Sequence, residues 1–317
     1  MAFLQILRSP YPHARITGYD LEAAKQLPGV IAVLTGEDLR SLVAPIPNPD
    51  NLAHLRAISY LPLAVDRVRF EGEPVVAVVA EDVGIAEDAL DHIEIFYEQL
   101  PPVITPDQAL AEDATLLYDD WDNNVLGERS ANFGDVDQAF ADADLVLTET
   151  YQLQRQTALP LELRATVARY DGTNLEVWSS TQTPHLLRTL MGHVLKMPES
   201  TIRVIAPDVG GGFGAKYQLH REEMLVPALA RLLGRPVKWR ENMYEHLAAT
   251  TQSRDKQVAV QLAVTSAGVI TGVRAEIVVD VGSGLAYPSS YGSTSCWRAE
   301  CPWDSRRRPT ATTTAAS

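Results

Sequence analysis

The chain has 317 residues, 46% hydrophobic and 21% charged, an ordinary globular composition with length for about two domains. Its formal net charge of −14 argues against nucleic acid or an anionic membrane as the main partner, and it has no apolar run of about 18 residues to span a bilayer. The N-terminus lacks a basic stretch followed by an apolar signal core, so the expected location is cytoplasmic. Only two cysteines occur, Cys296 and Cys301. Disulfides therefore do not build the fold, and the lone C-x4-C spacing is a weak metal signal.

In chain order, residues 1–110 read as a mixed α/β unit. FLQILRS is a short strand, and ARITGYD alternates toward a second. DLEAAKQLPGV predicts a short helix, with Asp20 as N-cap and Gly29 just past its end. VIAVLTG is a buried strand. After the proline-rich PIPNPD, VRFEGEPVVAVVAED predicts two strands around a turn at Glu71-Gly72-Glu73. GIAEDALDHIEIFYEQL is a helix running into a strand. Residues 111–134 read as a linker whose acidic patch, YDDWDN, is expected to be a solvated loop.

A second unit covers residues 135–295. VDQAFADAD is a short amphipathic helix, and LVLTETYQLQRQ a long alternating strand. ATVARYDGTNLEVWSST is a hairpin turning at Asp171-Gly172. TPHLLRTLMGHVLKM is a helix and TIRVIAPDV a strand. YQLHREEMLVPALARLLG is a helix closed by Gly234, RPVKWREN a strand, and residues 255–282 a hairpin turning near Ser266 to Gly268. Residues 296–317 lose all periodicity and read as disordered or as not selected to fold with the rest.

The sharpest feature is APDVGGGFGAK, residues 206–216, with four glycines in five positions. Such a bare backbone permits φ > 0 and lets a ligand approach main-chain N–H groups; the plainer alternative is a tight turn. A P-loop fails, because Tyr217 stands where Ser or Thr must bind magnesium. Gly210-x-Gly212-x-x-Ala215 fits a dinucleotide fingerprint, with Glu241 ending the next strand as a ribose ligand. Against it, Pro207 and Asp208 interrupt the strand, and the unit opens with antiparallel hairpins.

APDVGGGFGAK also resembles the molybdopterin-contacting loop of the xanthine dehydrogenase and aldehyde oxidase family, the molybdenum hydroxylases. VWSSTQTPHLLR, RQTALPLELRA and LVPALARLLGRPVKW resemble further segments of that family in the same order. RSPYPHARI, LPGVIAVLTGEDL and VRFEGEPVVAVVAED look like its hammerhead domain. The resemblance spans nearly all of residues 3–292 and is closest to bacterial large subunits similar to aerobic carbon monoxide dehydrogenase. It implies an α+β protein, an α/β hammerhead domain followed by an incomplete first molybdopterin-binding domain. It also implies a molybdenum–molybdopterin cofactor in its cytosine dinucleotide form, touched by Gly211, Gly212, Phe213 and Gly214, with Phe213 walling the site. Gln182 would hydrogen-bond an oxo ligand of molybdenum, with no direct metal ligand from the chain. FAD and 2Fe-2S clusters would sit on a medium and a small partner subunit, in a dimer of heterotrimers. The reaction would be hydroxylation of an aldehyde or N-heterocycle, or oxidation of carbon monoxide, with oxygen from water.

The resemblance also sets out departures. Family large subunits are more than twice this long, and their glutamate base and arginine-rich substrate loop lie in the half not represented here, so no catalytic residue is assigned to this chain. The pattern is lost at about Ser295, where a truncation or reading-frame shift is expected, and Met1 is expected to be an internal start. Gln156 replaces a common histidine and Ala165 a glycine, changes that bear on the substrate pocket. The expected reading is a fragment, or a shortened subunit working with a chain that carries the rest. The alternatives are an inactive gene product or interaction module, whose sheets near 258–281 would expose an unpaired edge, and a dinucleotide-binding protein.

Other residues carry weaker expectations. His185 is expected to have a structural place at a helix start. His220 and Glu223 have i, i+3 spacing, but on a surface helix they would be solvated rather than hold a metal. Glu162 and Arg164 could form a buried pair, and His13 reads as structural.

Overall fold

A computed structural model of the chain describes residues 1–46, 55–56 and 58–283 and the backbone of 296–302. PIPNPD therefore lies mostly outside the described residues. The first unit runs β1 (Ala2–Arg8), β2 (Ala14–Asp20), α1 (Glu22–Lys25), β3 (Val30–Thr35), α2 (Gly36–Leu39), β4 (Arg67–Val68), β5 (Pro74–Ala80), α3 (Val83–Leu90) and β6 (Glu94–Gln99). All seven residues of β5 are buried, which is what PVVAVVA requires of a central strand.

Two local expectations change here. Leu21, not Asp20, occupies the N-cap of α1; Asp20 ends β2 and accepts the Glu22 N–H at 3.2 Å. The strands flanking Gly72 do not form a hairpin with each other. β4 pairs with β2, and β5 lies between β1 and β3. Gly72 has φ +90° and lies against the Ala248 backbone, so this turn is fitted to the second unit and not to its own strands.

The second unit begins in the segment expected to be a linker. That segment carries β7 (Glu128–Asn132), just after α4 (Pro106–Leu110). Then come α5 (Val136–Ala141), β8 (Leu145–Leu153), β9 (Ala165–Tyr170), β10 (Leu175–Ser179), α6 (Pro184–Val194) and β11 (Ile202–Ile205). α7 (Arg221–Leu233), β12 (Val237–Arg240), α8 (Met243–Ala249), β13 (Lys256–Val264), β14 (Ile270–Val279) and β15 (Cys296–Pro302) complete the described chain. The Asp171-Gly172 turn forms as expected, with the Asp171 carboxylate accepting the Thr173 and Asn174 N–H groups.

The expectation of disorder from residue 296 does not hold for β15. Its backbone pairs antiparallel with β14 and parallel with β7. The hairpin near 258–281 is accordingly interior to a five-stranded sheet, ordered β7-β15-β14-β13-β8. Its exposed edge is β8, where Leu145, Leu147, Tyr151 and Leu153 face outward.

The main sheet has seven strands in the order β11-β10-β9-β12-β1-β5-β3. It therefore joins both units: β1 pairs parallel with β12, Ala2 opposite Val237 and Phe3 opposite Lys238. One core crosses the seam, with Leu4, Ile6 and Val79 clustering with Leu187, Met191, Met224, Leu225 and Trp239. In the YDDWDN patch the three aspartates and Asn123 are exposed, while its two aromatic residues are half-buried. Tyr118 stacks on Trp121 at 4.6 Å, and Arg69 lies over the Tyr118 ring at 4.6 Å. Asp119 accepts two 2.8 Å bonds from the buried Arg67.

Candidate cofactor site

Three segments meet at the ends of β9, β10 and β11: residues 160–164, the stretch Ser180 to Thr183, and the glycine loop after β11. The loop is not a strand-to-helix turn of the dinucleotide type. Helix α7 starts only at Arg221, and residues 213–217 coil through turns closed by Ala215 N–H to Gly212 O at 2.9 Å and Tyr217 N–H to Gly214 O at 3.1 Å.

Each bare position has its own cause. A Cβ at Gly210 would lie 2.7 Å from the Glu162 Cβ, and one at Gly212 would lie 2.5 Å from the Gln182 Oε1. Gly214 has open space around it but φ +90°, and Gly211 has φ +100° with the Phe213 ring against it. Phe213 itself sits at φ 52° and is 76% exposed, an aromatic side chain held off its preferred backbone. The Gly212 and Phe213 N–H groups have no acceptor among the described residues. Consecutive free N–H groups form a concavity suited to anionic ligand atoms.

Gln182 stands beside them. Its backbone N–H donates to Lys216 O at 2.9 Å, and its Oε1 accepts the Gly214 N–H at 3.2 Å. That fixes the amide orientation, so its NH2 carries two donors with no acceptor among the described residues. His185, three residues further on, is exposed in the first turn of α6.

The expected Glu162–Arg164 pair does not form; the two side chains take separate partners. Glu162 takes the Gly210 N–H and the Lys216 ammonium, each at 2.7 Å, on one oxygen. Burial pushes its pKa up, but those two donors outweigh it and hold the carboxyl below its usual range. Lys216 is thus consumed internally, 1% exposed, and is not offered to a phosphate. Arg164 instead binds Glu222 at 3.0 Å and Glu241 at 2.9 Å, over the Trp239 ring. Arg8 from β1 joins the same cluster through Glu222 at 2.8 Å and Glu245 at 2.9 Å.

Glu241 therefore cannot serve as a ribose ligand. It is fully buried and also accepts from the Thr250 hydroxyl at 2.8 Å and meets His246 Nδ1 at 3.0 Å. The dinucleotide reading fails on that residue. Helix α7 is not a surface helix either: His220 and Glu223 are both buried. Glu223 accepts the Ser179 hydroxyl at 2.6 Å and the His220 N–H at 3.0 Å, and no metal-ligating cluster exists among the described residues. Sequence reading missed this cluster, although four acidic residues within two helix starts, at 222, 223, 241 and 245, were a signal of buried partners. His13 is structural as expected, buried with Nδ1 at 3.1 Å from Pro101 O.

His220 gives a testable pH effect. Its Nε2–H donates to Ala215 O at 2.7 Å, and burial together with the Arg164 charge pushes its pKa down to about 4. The unfolded chain then takes this proton first, near pH 6.5, so the residue's contribution to stability is complete above pH 6.5 and is lost as pH falls toward 4. The full effect is about 3 kcal/mol. Chemical denaturation of wild type and His220→Gln should show stabilities that converge by about that amount between pH 7 and pH 4.

A cleft of about 670 Å³ lined by Arg69, Glu73, Tyr118, Arg221 and Ala249 shares no residue with Gln182 or with residues 206–216. The loop geometry, and not this cleft, locates the candidate site. Residues 117–303 match the molybdopterin cofactor-binding domain, and residues 1–101 match the a/b hammerhead domain of aldehyde oxidase and xanthine dehydrogenase. The chain belongs to the molybdenum hydroxylase family.

The family match runs past Ser295, where the pattern was expected to end. Among molybdenum hydroxylases, the nicotine 6-hydroxylase large subunit of Paenarthrobacter nicotinovorans is 39% identical over 293 residues, covering 92% of this chain and 36% of that one. The carbon monoxide dehydrogenase large chain of Afipia carboxidovorans is 35% identical over 308 residues, covering 92% and 38%. The structure of quinoline 2-oxidoreductase from Pseudomonas putida 86 superposes with a TM-score of 0.88 at 33% identity, over 95% of this chain and 41% of that one. The chain thus spans about two fifths of the length of these relatives. No helix among the described residues is long and apolar enough to cross a membrane.

Proposed function

We propose that this chain builds one wall of the cofactor site of a cytoplasmic molybdenum hydroxylase acting on an aldehyde, an N-heterocycle or carbon monoxide. The observation that carries the reading is the pair of free N–H groups at Gly212 and Phe213 beside the free amide NH2 of Gln182, within the matched domain. These donors fit an electron-rich pterin–metal group, and the absence of a Cβ at 211, 212 and 214 admits it to the backbone. When bound, that group supplies oxidative hydroxylation with water as the oxygen source.

The chain's own residues then have separate tasks. Gly211, Gly212 and Gly214 let the ligand reach the main chain, and the exposed Phe213 ring excludes water along one side. Gln182 donates a neutral hydrogen bond to an oxygen of the group, stabilising negative charge without titrating. The proton-accepting base and the far wall of the pocket belong to the part of the family pattern outside this sequence. The relatives named "large subunit" and "large chain" support partner subunits, here an FAD-binding medium and a 2Fe-2S small subunit in a dimer of heterotrimers. The cytosine dinucleotide form of the pterin is part of the same proposal.

The test is composition. The chain, expressed in a host that makes the cofactor, should co-purify with molybdenum by elemental analysis and with pterin by fluorescence after oxidation. Amounts no higher than in an unrelated protein from the same host overturn the reading.

A further inference from the structure

We propose that Glu162 is the positioning residue of the glycine loop, clamping its two ends through a single carboxylate oxygen. The contact is doubly specific. Oε2 accepts the N–H of Gly210, where the run of glycines begins, and the ammonium of Lys216, where the loop closes, both at 2.7 Å. Glu162 N–H in turn donates to Gly210 O at 3.2 Å, so the two segments are joined through both backbone and side chain. The Cβ of Glu162 fills the space a side chain at Gly210 would need, which sets the distance between them.

The clamp reaches further through Lys216. Its side chain is buried, and its carbonyl accepts the backbone N–H of Gln182 at 2.9 Å and the Thr181 hydroxyl at 3.4 Å. Withdrawing Lys216 therefore releases Gln182 as well as the loop. Behind Glu162, Arg164 is held between Glu222 and Glu241 and anchors the segment to the core. The free N–H groups of Gly212 and Phe213 lie between the two clamped ends, so their direction is set without a bound ligand. Ready-made donors of this kind need no reorganisation when a charged group arrives. The consequence for cofactor binding rests on the function proposed above; the clamp itself does not.

Hydrogen–deuterium exchange on the full chain tests it, comparing wild type with Glu162→Met, which removes the acceptor, and Glu162→Gln, which keeps an acceptor and removes the charge. The hydrogen-bonded amides of the loop, Gly210, Gly211, Gly214 and Ala215, should exchange at least tenfold faster in the methionine variant and at least threefold faster in the glutamine variant. Amides of 224–233, in the core of α7, should stay within twofold of wild type in the glutamine variant. Loop amides within twofold of wild type in the glutamine variant overturn the clamp, and this variant decides if the methionine variant unfolds. Glu162→Asp should not restore protection, because the shorter side chain cannot meet both donors; full protection in that variant also overturns it. Pterin content separates the two proposals. A loosened loop in a chain that never holds pterin keeps the clamp and removes the cofactor reading, and an unchanged loop in a pterin-loaded protein does the reverse.

Discussion

Gly212→Ala should lower the pterin and molybdenum content of the purified protein at least tenfold while changing its unfolding free energy by only about 1 kcal/mol. The new Cβ would sit 2.5 Å from Gln182 Oε1, 2.7 Å from its Cδ and 3.1 Å from its Cγ. Those atoms belong to an exposed, flexible side chain, so the fold yields by swinging Gln182 away, at small cost. That motion takes the acceptor from Gly214 N–H and removes the amide donors from the site. Gly214→Ala is the contrasting variant. It meets nothing within 4 Å, but φ +90° penalises any side chain by about 1–2 kcal/mol. Elemental analysis and denaturant titration on both variants separate a binding defect from a folding defect. Full pterin content in Gly212→Ala would mean that Gln182 does not face the cofactor.

Arg164→Met should cost about 3–5 kcal/mol, a large part of a typical domain's stability. The guanidinium is the shared partner of Glu222 and Glu241, all three nearly out of solvent. Burial drives both carboxyls up, yet Arg164, with Arg8 on Glu222, pulls each below its usual range. Without Arg164 the burial effect prevails at Glu241, and its folded pKa rises above the unfolded value. The folded variant then binds the extra proton, so its stability should improve as pH falls from 7 toward 5. The deficit relative to wild type should therefore narrow over that range. Urea midpoints at the two pH values check this. Arg169→Met, which breaks the exposed pair with Glu176, should shift stability by no more than about 1 kcal/mol. A similar loss from both substitutions would show that burial adds nothing to the strength of the Arg164 cluster.

Most elements were legible because their cues are local. The apolar run of FLQILRS, the Asp171-Gly172 turn and Gly234 at φ 60° each depend on neighbours within a few residues. The glycine loop and Gln182 were legible because close backbone approach demands glycine in a pattern few sites share. What sequence could not show was pairing between distant segments. Glu162 and Arg164 are two residues apart, and only the fold reveals that one serves Lys216 and the other Glu222 and Glu241. β15 was misread for the same reason, since CWRAECP has little strand pattern and is fixed by lying between β14 and β7. Asp20 looked like a cap because the signal for one more strand residue and for a helix start is the same side chain.

The seam between β1 and β12 bears on how the protein is made. Ala2 is synthesised about 235 residues before its strand partner Val237. At about 5–20 residues per second, on the order of ten seconds or more pass before that partner leaves the ribosome. During that interval the nascent chain can seat β1 against β5, but the other side of β1 offers unpaired N–H and C=O groups. A holdase that covers an extended apolar strand would find its target there. Once β12 docks, β1 is hydrogen-bonded on both sides, and the half-made product loses the edge by which it could stick to its neighbours.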